Sequence, residues 1–245
     1  MDLTYLLVLI VGAVAGGFVN GLAGFGTALF ALGWWLQIMP PKQAVTLVLI
    51  MSIVSGLQGV TATRRAINWK RLAWFVLPGL AGIPIGLQLL DLIDPTTLKL
   101  VIAGFLILYG GYFVWRRTLP RIRSYWPPVD GALGFIGGVL GAMAGLSGAL
   151  PTIWVSLLDR SKEENRSVLQ TYNLIIQIVS AAMLLAQGSY TPQLGIAMLI
   201  VLPVSVAAAH LGLKLFARLT DDQFRRLLVL LTLAAGLILI AREML

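Results

Sequence analysis

The chain has no cysteine and only one histidine, His210, among 245 residues. The missing thiols exclude disulfides, zinc–thiolate sites, iron–sulfur clusters and thiol catalysis, and nothing marks a redox compartment. Charge is scarce as well, at 11% of residues against roughly 25% in soluble domains. No Asp or Glu falls inside the long apolar runs, so a carboxylate proton relay is not expected. A nucleophile elbow, a phosphate-binding loop and a two-histidine metal motif are all missing. An enzyme, a metal centre and a cofactor are therefore not expected.

What is present is apolar, with hydrophobic residues making up 58% of the chain. Charge-free runs cover residues 3–41, 43–63, 72–90, 100–115, 131–158, 167–213 and 227–241. One span needs about 20 such residues, so the chain is expected to be a polytopic helical membrane protein. The run 167–213 is too long for one crossing and must turn at Gln187-Gly188-Ser189-Tyr190-Thr191-Pro192-Gln193. The 18 Lys and Arg, which give a net charge of +8, lie in the connections. They are topology signals and lipid-headgroup contacts rather than a nucleic-acid surface. The start lacks a basic region and a cleavage signal, so residues from 3 onward are expected to be a retained membrane segment.

Glycine sits where helices should run. Gly16-Gly17-Phe18-Val19-Asn20-Gly21-Leu22-Ala23-Gly24-Phe25-Gly26-Thr27-Ala28-Leu29 returns as Gly137-Gly138-Val139-Leu140-Gly141-Ala142-Met143-Ala144-Gly145-Leu146-Ser147-Gly148-Ala149-Leu150. Glycine at this density weakens a helix, and the apolar surroundings bury what remains, so each copy predicts a broken helix packed inside protein. Leu77-Pro78 matches Leu202-Pro203 in the same register, a repeat of about 120 to 126 residues. Each half then has a glycine-broken first segment and three spanning helices. The expected helices are at about 43–63, 71–90, 96–115, 165–186, 192–217 and 222–242. The N-terminal repeat covers 1–117, a basic cytoplasmic linker 118–130 and the C-terminal repeat 131–245.

Charge bears on the hand of the repeat. The basic loop 64–71 corresponds to the charge-free loop 187–193, and the acidic loop 91–95 to the basic stretch 214–226. That reversal predicts inverted halves, the architecture in which alternating access exchanges two similar conformations. A parallel duplication of four full spans per half stays open.

Broken helices of this kind aim half-helix N-termini at the middle of the membrane, where their free N–H groups attract anions. No Arg or Lys stands deep in a run, so an anion site must use backbone donors, hydroxyls and amides. The candidates are Asn20, Gly24, Gly26 and Thr27 in the first copy, and Gly145, Ser147 and Gly148 in the second. Small residues also permit close helix packing without any ligand, an alternative the sequence leaves open. Gln170, Asn173 and Gln177 share one helical face, and with Gln58 and His210 they are candidates to line a pathway. Each could instead serve interhelical hydrogen bonding, and His210 a helix end. Arg166 is expected to pair locally in the charged connection 159–165, Arg64, Arg65, Lys70 and Arg71 to set orientation, and the tryptophans to form an interfacial belt.

The duplicated pattern Gly-Gly-x-x-Asn-Gly-x-Ala-Gly-x-Gly and Gly-Gly-x-x-Gly-x-x-Ala-Gly-x-Ser-Gly resembles the TauE/SafE family of sulfite exporters and sulfonate permeases over essentially the whole chain. It departs from the fuller family pattern in Phe25-Gly26-Thr27 and Leu146-Ser147-Gly148, and has the later proline, Pro151, only in the second copy. The resemblance implies a secondary carrier, an exporter of a small sulfur-containing anion such as sulfite or an organosulfonate, with its site on the residues of the two motifs. The lipid bilayer and the small anion are the expected partners, with proton or cation coupling and a homodimer as further expectations. A passive anion channel, a carrier of small carboxylates and a non-transport membrane scaffold are the alternatives.

Overall fold

A computed structural model describes residues 2–115, 126–158 and 162–220, with isolated positions beyond 220. The expected helix at about 222–242 falls largely outside the described residues, as do Arg116, Arg117, Arg121, Arg123 and Arg160. The described elements are helical: α1 (Leu3–Ala23), α2 (Thr27–Trp35), α3 (Pro41–Thr63), α4 (Trp69–Leu92), α5 (Pro95–Trp115), α6 (Pro127–Ala144), α7 (Ala149–Leu157), α8 (Lys162–Ala186) and α9 (Pro192–Arg218). Among the described residues, six helices are long and apolar enough to cross a membrane.

Local chemistry sets the boundaries. Proline, whose missing N–H costs nothing in a first turn, opens α3, α6 and α9. The Thr191 hydroxyl accepts from the Leu194 N–H at 3.2 Å, and the Asn68 side chain from the Arg71 N–H at 3.1 Å. Both expected breaks occur, α1 ending on Gly24 at φ 80° and α6 on Gly145 at φ 70°. An L side chain would be strained there by roughly 1–2 kcal/mol.

After each break the chain folds back. Gly16 lies against Thr27 and Ala31, and Gly12 against Trp35, so α2 descends antiparallel along α1. In the second copy Gly141 lies against Ser147 and Gly137 against Pro151, so α7 returns along α6 in the same manner. The pairing between halves is crossed. On α1 and α9, Gly17 meets Ser205 and Gly21 meets Ala209, so the two helices run in the same direction. On α4 and α6, Phe75 meets Gly134 and Gly79 meets Gly138, again in the same direction. Glycine lets these backbones touch, which is how helices associate where lipid offers no hydrophobic drive.

The outer surface is apolar. Leu3, Leu7, Val11 and Val14 form an exposed stripe along α1 while its glycines face inward. Trp69, Trp115 and Trp126 are exposed at helix ends, as an interfacial belt requires. Trp35 departs from that expectation: it is fully buried, and its indole N–H donates to the Leu9 carbonyl at 3.3 Å.

A second correction concerns charge in the interior. α6 starts at Pro127, earlier than the charge-free run suggested, so Asp130 lies in its first turn and is completely buried. Its carboxylate accepts from Arg71 Nε at 3.3 Å and from the Trp154 indole N–H at 2.6 Å. Arg71, expected to be an orientation charge alone, is itself buried and also donates to Asn165 at 3.3 Å. The group ties α4, α6, α7 and α8 together at the basic end of the bundle. At the opposite end Lys42 pairs with Asp91 at 2.5 Å, and the Thr46 and Ser189 hydroxyls lie 3.1 Å apart.

Candidate functional site

The two breaks meet. A small pocket is lined by Phe25, Gly26 and Leu29 from the first, by Gly145, Leu146, Ser147, Gly148 and Ala149 from the second, and by Asn173 and Gln177 from α8. Gly148 is packed so tightly that an added methyl would press on both Asn173 and the Phe25 Cβ. Gly145 sits against Val48 and Ala28, so α2 touches the second break directly.

Asn173 holds the breaks in register. Its Oδ1 accepts from the Ser147 hydroxyl at 3.0 Å, and its Nδ2 donates to the Gly24 carbonyl at 3.3 Å. One amide, 3% exposed, thus bridges the ends of α1 and α6. Gln170, one turn away, donates to the Gly56 carbonyl at 3.0 Å and fills the notch left by Gly59.

The N-termini of α2 and α7 both border this pocket, and neither carries a side-chain cap. Among the described residues, no backbone carbonyl accepts from the N–H groups of Phe25, Gly26, Thr27, Ala28 or Leu29, nor from Ser147 or Gly148. Unsatisfied N–H groups at a helix start carry about half a positive charge, and two such starts at one pocket favour an anion twice over.

Six of the residues expected from the sequence, Gly26, Gly145, Ser147, Gly148, Asn173 and Gln177, line the pocket. Gly24 contributes its carbonyl to Asn173, and the Thr27 hydroxyl is buried without a hydrogen-bond partner beside Gly26. Asn20 is occupied elsewhere, donating to the Ser55 hydroxyl at 2.6 Å and the Ser52 carbonyl at 3.3 Å, so it braces α1 on α3 outside the pocket lining. Gln58 donates to the Val206 carbonyl at 3.3 Å and joins α3 to α9. His210 is exposed, away from the buried stripe Val201, Ser205, Ala208, Ala209 and Gly212, and is not part of the lining.

Arg166 is the group that sequence reasoning missed. Expected to pair within its own loop, it is 5% exposed and donates to the carbonyls of Gly21 at 2.7 Å and Leu22 at 3.1 Å and to Gln170 Oε1 at 3.3 Å. The usable signal was its spacing: Arg166, Gln170, Asn173 and Gln177 fall on one face of α8.

Fold and site together define a multi-pass helical membrane protein whose two broken helices share one polar pocket, a construction that carriers use to bind solutes inside a bilayer. The chain belongs to the TauE/SafE sulfite exporter family, whose model matches residues 8–239, nearly its whole length. That is a family of transporters, not enzymes. No curated protein matches the chain.

Proposed function

We propose that the chain is a secondary carrier that exports a small sulfur-containing anion, such as sulfite or an organosulfonate, by alternating access around the pocket between the two breaks. The observation that carries this reading is the convergence of both helix N-termini, with uncommitted N–H groups, on a pocket that also presents Asn173, Gln177 and the Ser147 hydroxyl. An oxyanion with several acceptor atoms can draw on all of these without a lysine in the pocket.

The crossed pairing supports inverted halves. α1 runs with α9 and α4 runs with α6, while in the repeat α1 corresponds to α6 and α4 to α9. Helices α3 and α4 follow one another across the short loop 64–68, and a reversal of direction there supports α1 and α6 entering from opposite ends. The excess of positive charge supports a cytoplasmic position for the end bearing Arg64, Arg65 and Lys70. Two inverted hairpins that meet at their tips can exchange roles, and that exchange would open the pocket first to one side and then to the other.

A thermal-shift screen of detergent-solubilised protein tests the reading. Sulfite, thiosulfate, sulfate, sulfoacetate, taurine, acetate and chloride are compared at constant ionic strength. A ligand that binds the folded state raises its melting temperature by mass action. Stabilisation by one sulfur oxyanion, lost in Ser147→Ala, supports the site. Stabilisation by acetate alone replaces it with a carboxylate carrier, and no shift with any anion removes it.

A further inference from the structure

Arg166 carries a full charge and spends it on three neutral acceptors, the Gly21 and Leu22 carbonyls and Gln170 Oε1. Gly24 already caps α1 through its own N–H, which donates to the Asn20 carbonyl at 2.7 Å. The Gly21 and Leu22 carbonyls that accept from Arg166 bear only the partial negative charge of a helix end. Among the described residues no carboxylate pairs with this guanidinium, the ion pairs there being Lys42–Asp91 and Arg71–Asp130. A buried arginine that meets no carboxylate among the described residues is expensive inside a membrane protein, and such groups mark ion or substrate routes.

Its position suggests which route. Arg166 lies on the face of α8 that continues through Gln170 and Asn173 to Gln177, and the last two line the pocket. Seven residues separate it from Asn173, about 10 Å along the helix towards the basic end. The Phe216 ring lies over the guanidinium at 3.9 Å and covers it from that side.

We propose that Arg166 is a second anion-binding position, on the cytoplasmic approach to the pocket, and that it receives the sulfur oxyanion before the helix N-termini do. The proposal rests on the carrier reading above. A guanidinium offers a planar fork matched to two oxygens of a sulfite or sulfonate group. Charge-assisted bonds to such an anion are stronger than those now made to the Gly21 and Leu22 carbonyls, so the anion takes over those N–H groups as the Phe216 ring moves aside.

The test uses the full chain in proteoliposomes of defined orientation, measuring sulfite counterflow with substrate supplied at either face. Arg166→Gln should raise the half-saturating concentration at the cytoplasmic face by about tenfold or more, the weight of one hydrogen bond to a charged group, and leave the opposite face within about twofold. Arg166→Lys keeps the charge and loses the fork, so it should fold, retain cytoplasmic affinity in part, and discriminate less between sulfite and spherical chloride. Equal weakening at both faces, or an unchanged cytoplasmic constant in both variants, would overturn the proposal and leave Arg166 as a helix-end clamp. Absence of counterflow in the wild-type protein with every sulfur anion would instead remove the carrier reading itself.

Discussion

Replacing Asn173 by aspartate separates the pocket's fold from its charge preference. The isosteric carboxylate still accepts from the Ser147 hydroxyl, now at 3.0 Å from Oδ1, but can no longer donate to the Gly24 carbonyl. One lost interhelical bond costs about 0.6 kcal/mol in a membrane protein. Two adjacent helix N-termini return about 0.3–1 kcal/mol each by attracting the new negative charge. Burying a carboxylate with no cation beside it among the described residues outweighs that return, so the variant should melt lower, by about 3 kcal/mol or more. Anion binding should not survive: a substrate charge about 5 Å from the carboxylate, at an effective dielectric of about 20, is repelled by about 3 kcal/mol, more than a hundredfold in affinity. Thermal unfolding with and without sulfite reads both quantities on one sample. Asn173→Asp that still unfolds cooperatively, at a lower temperature than the wild type, and gains nothing from sulfite fits the account. Sulfite binding within about threefold of wild type would show that no anion comes near Asn173 and would refute the reasoning.

Other consequences follow from the packing. Arg71→Ala should destabilise the protein by about 3–5 kcal/mol by leaving the fully buried Asp130 without its ion pair, as denaturant titration would show, while Arg71→Met with Asp130→Leu recovers most of the loss. A methyl at Gly21 would run into the Ala209 carbonyl and one at Gly138 into the Gly79 carbonyl, so either alanine should cost about 1–3 kcal/mol or more. Gly111→Ala, which meets open space in α5, should instead be neutral or stabilising by up to about 1 kcal/mol in the same measurement. Asp94 accepts from the Thr97 hydroxyl and N–H at the start of α5, and these bonds hold its carboxyl below the ordinary carboxylate range. Its folded-state pKa is depressed, so the contribution is present above the unfolded value of about 4 and lost as the pH falls below it. Protection of the first-turn amides of α5, taken relative to intrinsic exchange at each pH, should fall there in the wild type and stay level in Asp94→Asn.

The pocket was legible because a dense cluster of glycines interrupts an apolar run and the cluster occurs twice. The polar spacing of Gln170, Asn173 and Gln177 pointed the same way, since lipid cannot satisfy amides. What the sequence hid is partner choice across distance. Asn20 lies in the motif yet bonds to Ser55, because α3 brings a hydroxyl within 2.6 Å. Arg166 and Arg71 stand beside charged loops, where charges are usually solvated. Their burial depends on carbonyls of α1 and on a carboxylate of α6 that only the packed bundle brings near. His210 shows the converse, the lone histidine of the chain, set in an apolar run and facing outward.

The central claim, alternating access around one anion site, is tested most directly by trans-stimulated exchange. Vesicles holding the purified protein are loaded with unlabelled sulfite and diluted into a trace of labelled sulfite. A carrier returns its site loaded, so label should accumulate transiently above its equilibrium level, and Asn173→Asp should abolish the overshoot. Label that only equilibrates, at a rate indifferent to the internal sulfite, would contradict the account and identify a passive pore.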